Sequence, residues 1–348
     1  MDDKELKNGT TRRRFIKLLA ALGIGGQSLL ASTCTTTAKP KIKADQLMKK
    51  WPAMTYQKLG RTQFESSRLV FGCGAALAGG KAVRLLDHAF DAGINHYDIG
   101  TSRYYRGAER HLAPFLKQHR DKILLVSKAP IHLRLEPEDS LTVEAARYAA
   151  EMWLLMMDES LKELDVDYVD AYYLMGVNNP AVVRSEEMYN AFLKAKKDGK
   201  VRFFGLSTHQ NAQKVLEAAI ETNWYDLAMI GVTPAGWYDW NEKNIVEGSP
   251  PLLQLQSLLE RARQAGIGLI GMKAARYLSA FWTGGKGNPN AFDHFYDQKL
   301  LDSPLSSFQK TYAYVLQHGL DVVNADMQNF KHLEENIVAA TTSQPYFS

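Results

Sequence analysis

Several polar residues stand where short apolar runs end: Asp98, Lys128, Ser207, Thr208, His209 and Lys273. The stretch NHYDIGTSRYYRGAE, from Asn95 to Glu109, adds two phenols, Tyr104 and Tyr105, close behind the Asp98 carboxylate. An acid and a phenol placed together can hold and move a proton. A single polar residue at such a point is more often a cap or a solvated turn residue, so it is the combination that points to a reaction site. Metal chemistry is not expected. No pair of strand-end His or Asp residues has ligand spacing, and no Cys/His pattern of the zinc type occurs.

Those residues need elements to position them. After Pro52, short apolar runs of β type alternate with amphipathic stretches. The predicted strands cover 68–74, 95–100, 123–129, 168–176, 201–209, 227–233, 268–274 and 321–326. The predicted helices lie near 81–92, 107–119, 142–164, 185–198, 211–222, 250–265, 305–318 and 330–341. Glycines at 93, 199, 266 and 319 follow the last periodic residue, where a left-handed backbone closes a helix. Eight β-then-α units predict an α/β fold, a parallel eight-stranded (β/α)8 TIM barrel. An open doubly wound sheet would carry a Gly-rich phosphate turn after its first strand. The run FGCGAALAGG does not spell that fingerprint. The segment MTYQKLGRTQFESS reads as a hairpin capping the barrel bottom. In such a barrel, chemistry sits at the C-terminal strand ends, where the polar residues lie.

The chain has 348 residues and a formal charge of +4. Residues 1–34 hold Lys4, Lys7, Arg12, Arg13, Arg14 and Lys17 against Asp2, Asp3 and Glu5, so +3 of that charge is at the start and about +1 remains elsewhere. Nucleic acid is therefore not an expected partner. With Cys34 and Cys73 as the only cysteines, this is not a disulfide scaffold. TRRRFIKLLAALGIGGQSLLASTC has the basic start, apolar middle and small-residue end of a signal peptide. Thr11 to Lys17 resembles a twin-arginine export motif. This predicts a signal over 1–34, a linker over 35–54, a barrel over 55–342 and a tail over 343–348. The expected location is the periplasm or cell envelope, reached through the twin-arginine machinery. Membrane contact is expected only through the signal or a lipid on Cys34, and cleavage with or without lipidation stays open.

The barrel segment resembles the aldo-keto reductase family. LGRTQFESSRLVFGCG looks like the family opening, and DAGINHYDIGTSRYYRGAE like its aspartate–tyrosine segment. ILLVSKA, LDVDYVDAYYLM, KAKKDGKVRFFGLSTH, AGIGLIGMKA and FKHLEENIVAA are similar to later family segments, in family order over residues 56–341. The resemblance implies hydride transfer between a nicotinamide cofactor, NAD or NADP, and a carbonyl or alcohol. It makes a tyrosine the general acid, Lys128 the cation that lowers the phenol's pKa, and Asp98 the partner of Lys128. The usual acid-to-tyrosine spacing falls on Arg103. The tail YRGAE favours Tyr105 over Tyr104. Ser207 is implied to hold the carboxamide, with Thr208, Lys273, Asp326, Glu335 and Asn336 also at the cofactor.

The sequence departs from the family at several strand ends. Met175 stands where a histidine normally steers the carbonyl, and a thioether is a poor acceptor and no donor. Steering then passes to His209 or Asn178, with Met175 in the pocket floor. Met229 replaces a glutamine at the carboxamide, and Val232 or Thr233 a stacking aromatic; Trp237 or Tyr238 could supply a ring by another path. Asp326 would repel a 2′-phosphate, and His332 replaces the usual arginine, which tilts the expectation to NAD(H). The long aromatic insertion at 279–299 is expected to act as a lid or binding element. Two functions follow: an exported oxidoreductase on a small-molecule substrate, or a catalytically altered barrel that binds a ligand or partner.

Overall fold

The computed structural model describes residues 51–347. The expected signal, Cys34 and most of the linker lie outside them. Trp51 and Met54, at the expected end of the linker, pack against the core.

The first elements close the barrel bottom. β1 (Tyr56–Lys58) and β2 (Glu65–Ser67) pair antiparallel, Tyr56 opposite Ser67, as the expected hairpin. Leu59, in the turn between them, plugs the lumen with Val70, Leu124, Val126, Ala171 and Tyr173. Gly60, at φ 48°, lies so close to the chain at 266–268 that a Cβ there would fall 2.3 Å from the Gly266 carbonyl oxygen.

The barrel strands are β3 (Leu69–Gly72), β4 (His96–Asp98), β5 (Leu124–Pro130), β6 (Val169–Met175), β7 (Val201–Thr208) and β8 (Leu227–Thr233). Two short strands follow, β9 (Gly236–Asp239) and β10 (Asn244–Ile245), and then β11 (Gly268–Met272) and β12 (Val322–Ala325) complete the barrel. Barrel neighbours are all parallel, in the order β3, β4, β5, β6, β7, β8, β11, β12 and back to β3. Closure through β7 and β8, with Gly205 opposite Leu227, excludes the open sheet. The predicted (β/α)8 barrel is the fold.

The helices are α1 (Cys73–Leu77), α2 (Leu86–Asp91), α3 (Ala108–His119), α4 (Val143–Leu164), α5 (Pro180–Val183) and α6 (Glu186–Lys197). They continue with α7 (Ala212–Thr222), α8 (Gln256–Gln264), α9 (Gln298–Leu301), α10 (Ser307–Gln317) and α11 (Phe330–Thr342). The four expected stop glycines all take positive φ, from 75° at Gly199 to 134° at Gly319. Alternation along the strands makes two cores. In β6, Tyr172 faces the helices and packs on Trp153 of α4 at 5.1 Å, while Tyr173 fills the lumen. Gly205 makes room for Tyr173: a Cβ there would lie 2.2 Å from its ring.

Several expectations are corrected. The stretch 81–92 is a 3-10 turn over Val83–Leu85 followed by α2, and 250–265 begins as a 3-10 turn over Leu252–Leu255 after two prolines. β8 ends at Thr233 as expected, but the chain continues from it into a hairpin that the sequence reading did not include. It turns at Pro234 and Ala235 into an antiparallel flap, β9 and β10, with Val232 opposite Trp237. The insertion at 279–299 is half anchored. Phe292 and Tyr296 are buried, whereas Phe281 and Trp282 are 80% and 87% exposed.

Candidate active site

β4 and β5 bring the first two groups together. Asp98 pairs in register with Val126, so Lys128 emerges just above it on the lumen side. Lys128 Nζ donates to both Asp98 carboxylate oxygens, at 2.7 and 2.6 Å, and to the Ile99 carbonyl. Asn324 Nδ2 on β12 donates to Asp98 Oδ2 at 2.7 Å. Asp98 and Lys128 are 4% and 5% exposed. Burial pushes the Asp98 carboxyl up, and Lys128 and then Asn324 oppose that shift. Two buried charges are tolerable here because each is paired and hydrogen-bonded.

The loop after β4 carries the phenols, and buried Glu109 at the start of α3 ties it down. Glu109 accepts from the Ser102 amide and from the Ser127 hydroxyl on β5, each at 2.8 Å. Tyr105 lies in a slot between two glycines: a Cβ on Gly74 or Gly100 would fall 2.8 Å from its ring. The same Cβ on Gly100 would be 3.1 Å from Lys128 Cγ, which sets phenol and lysine side by side. Tyr104 is 58% exposed, with its ring edge-on to Tyr105 at 4.8 Å. Arg103, at the usual tyrosine spacing, turns outward and pairs with Glu159 of α4. The expected lowering of the phenol's pKa is not found. Burial raises Tyr105, and Asp98, Tyr104 and Asp326 add to the rise. Lys128 Nζ is bonded to Asp98, and the charge of that carboxylate is among those that raise the phenol.

The other candidates line the same end. Ser207 and Thr208, buried, close β7; Ser207 Oγ accepts from the Gly176 amide at 3.1 Å and keeps its own proton to donate. His209 follows them. Burial and then Lys273 hold its pKa down at about 4, and its Nδ1 is buried without a partner among the described residues. Met175 ends β6 half-buried, opposite Pro130. Met229 is sealed in the lumen at 1% exposure, its sulfur 3.7 Å from Asn324 Nδ2. Trp237 is not at the mouth: it is 4% exposed in the outer core, its Nε1 3.4 Å from Gln213 of α7. Tyr238 is likewise buried, donating to the Gly284 carbonyl at 2.9 Å. Asp326 follows β12; Gln328 donates to its Oδ2 at 2.9 Å, and its Oδ1 is buried with no partner among the described residues. On α11, Glu335 is half-buried and Asn336 is buried.

A second cluster was not singled out from the sequence. The ring of Trp240, on the turn between β9 and β10, has Lys243 Nζ at 3.0 Å, Lys273 Nζ at 3.9 Å and the Arg276 guanidinium at 5.5 Å from its centre. Lys273 adopts φ 64°, a left-handed backbone unusual for a lysine. Burial and then Arg276 push its pKa down to about 7, against a smaller opposing effect of Asp326. Asn324 and Trp240 are the groups missed. An aromatic followed closely by lysine in WYDWNEK was the only local signal for Trp240, and none marked Asn324.

Among the described residues, no group of three or more His, Cys, Asp or Glu could hold a metal ion. A model of the aldo/keto reductase family matches residues 68–275. A probable aldo-keto reductase 1 from Glycine max is 28% identical over 316 residues, covering 81% of this chain and 83% of that protein. The L-glyceraldehyde 3-phosphate reductase of Escherichia coli is 28% identical over 155 residues, 42% of each chain. Among solved structures, the thermostable aldo-keto reductase Tm1743 superposes with a TM-score of 0.59 at 22% identity, over 82% of this chain and 94% of that one. The aldo-keto reductase AKR11C1 from Bacillus halodurans gives 0.56 at 19%, over 82% and 90%.

Proposed function

Because the chain belongs to the aldo/keto reductase family, we propose that it is a nicotinamide-dependent oxidoreductase acting on a carbonyl or alcohol. The observation that carries this reading is the Tyr105 ring packed beside Lys128, whose ammonium is held by Asp98.

The mouth fits a dinucleotide. Asp326 Oδ1 is an orphaned buried acceptor, suited to a ribose hydroxyl, and Ser207 has a proton to give to a carboxamide. Glu335 stands on α11 for the adenine end, while Asn336 is too buried to reach far. When bound, the nucleotide supplies hydride at carbon. Tyr105 holds the proton the carbonyl oxygen needs. With its pKa raised, the phenol stays loaded at neutral pH and releases its proton as negative charge grows on that oxygen. Lys128, fixed by Asp98, borders the phenol and favours the anion left behind. His209, neutral because of its lowered pKa, can steer the carbonyl where Met175 cannot. The Asp326 carboxylate favours NAD(H) over NADP(H).

The start of the chain supports export by the twin-arginine route to the periplasm or cell envelope, with Cys34 as a site for a lipid. Replacing Arg12 and Arg13 with lysine should retain a reporter fusion in the cytoplasm; unchanged export would remove this part of the proposal.

A second reading is an altered barrel that binds without turning over. Met175 and the upward shift of Tyr105 favour it. Nucleotide binding separates the two. The purified protein is denatured, the supernatant analysed for NAD(H) and NADP(H), and the stripped, refolded chain titrated with each. Tight binding of one nucleotide supports the oxidoreductase, and preference for NADPH would overturn the NAD(H) assignment. Binding of neither favours the altered barrel.

A further inference from the structure

Two uncharged donors beside β5 have no part in the site just described. His132, two residues beyond β5, takes φ 51° and is exposed, yet its ring is laid against α4: Nε2 lies 2.9 Å from the sulfur of Met156. That is the usual spacing for a nitrogen and an oxygen, and close for the larger sulfur. A thioether is a weak acceptor, so a hydrogen bond alone gives an imidazole little reason to face it in preference to water. Met152 stands one turn earlier on the same face of α4, and with Met156 it lines a groove of about 380 Å³.

This donor set is selective. Imidazole and thioether together suit copper, and the thioether favours its soft, monovalent form. Both donors are neutral, so an ion of single charge leaves less charge to be carried in a half-buried place than a divalent ion would. The hard donors at the groove are engaged elsewhere: Asp158 pairs with Lys200 at 2.6 Å, and Glu159 pairs with Arg103. We propose that His132, Met156 and Met152 form a binding site for Cu(I), the exposed imidazole turning to admit the ion between Nε2 and the two sulfurs. The loop gives the ion a way in from solvent, and α4 fixes the two sulfurs four residues apart. The site holds the ion without changing its oxidation state, and it is independent of the oxidoreductase reading.

The test uses the full-length chain carrying Cys34→Ser, which removes the competing thiol outside the described residues; Cys73 is buried. Cu(I) is titrated without oxygen against bicinchoninate, a coloured chelator that competes for it. A single equivalent should be held. The affinity should fall by at least about tenfold in Met156→Leu and in His132→Gln, since disturbing even the support of a ligand costs that much, and by less in Met152→Leu. Leucine is close to methionine in volume and His132 is exposed, so neither change should alter urea unfolding. A second measurement needs no variant. Ag(I), an ion of the same charge and similar softness, should shift the methyl resonances of Met152 and Met156 and leave that of Met229, sealed in the lumen, in place. Equal Cu(I) affinity in Met156→Leu and His132→Gln, binding lost only in Cys73→Ser, or methyl shifts confined to other methionines would overturn the site. Displacement of Cu(I) by Zn(II) at equal concentration would overturn the choice of a soft ion.

Discussion

At the barrel mouth, Lys128 is surrounded by acceptors and Lys273 by other cations. Lys128 has two carboxylate oxygens and a carbonyl, and the carboxylate it pairs with has Asn324 as well. Lys273 has the face of Trp240, with Lys243 and Arg276 at the same ring. Lys128 is buried and Lys273 half-buried, at the same end of the same barrel. One charge has been neutralised by the fold, the other has not. The first arrangement makes a rigid platform beside Tyr105. The second is a group of mutually repelling cations that Asp326 and Asp239 offset only in part. Sites that bind tightly are often locally destabilising, and this pair shows both conditions within one mouth.

The largest expected effect follows from breaking the paired cluster. Lys128→Met leaves Asp98 buried without a counter-charge, which should cost roughly 3–5 kcal/mol of stability and abolish measurable turnover. Urea unfolding reads the first and nicotinamide absorbance the second. Asp98→Asn in the same background should restore much of the stability and none of the turnover. If Lys128→Met unfolds like the parent protein, the pair is not the buried element described here. Next in size is Tyr105→Phe. No hydrogen bond holds the Tyr105 hydroxyl within the protein's described contacts, so stability should hardly change. Turnover should drop by about 10²–10⁴-fold, the range for losing a general acid. Tyr104→Phe, at an exposed ring, should stay within a fewfold of the parent. The reverse ranking would give the proton-donor role to Tyr104.

The barrel was legible because its strands are buried on both faces, or nearly so, and read as apolar runs bounded by glycine-stopped helices. The Asp98 to Lys128 juxtaposition could be anticipated from the resemblance. Asn324 could not, since its contact with Asp98 spans 226 residues of sequence and depends on the register of β12 against β3. The flap escaped for a different reason. Its turn at Pro234 and Ala235 looks like the end of a strand, whereas the pairing of Val232 with Trp237 continues β8 into a hairpin. Trp237 was therefore assigned to the mouth, although β9 turns its ring into the outer core and leaves Trp240 among the cations. The direction of the Tyr105 shift was missed because burial of the ring, its largest cause, depends on the slot between Gly74 and Gly100 and is not visible in residue spacing.

A smaller effect, of opposite sign, is expected from the unpaired cluster. The Lys273 pKa is about 7 in the folded protein and about 10.4 in an unfolded chain. Between those values the unfolded state binds the extra proton, so this group makes stability rise with pH. Below about pH 7 the buried ammonium carries its full penalty. Lys273→Met should therefore stabilise the protein by about 1–3 kcal/mol at pH 6, with the gain fading as pH rises toward 10. Urea midpoints at several pH values measure it. A destabilised Lys273→Met variant at pH 6 would mean that Lys273 has a counter-charge after all, and the contrast with Lys128 would fail.

The finest test separates burial from repulsion as the origin of the Lys273 shift. Lys243 is half-buried on the flap, and removing its charge should change overall stability by no more than about 0.5 kcal/mol. Its charge nonetheless contributes to depressing Lys273, behind burial, Arg276 and the opposing Asp326. In Lys243→Gln the Lys273 pKa should rise, and the pH range over which Lys273→Met confers stability should move upward with it. Comparing the single and double variants across pH isolates that displacement from any packing change at the flap. An unmoved profile would leave burial and Arg276 as the whole cause of the depression.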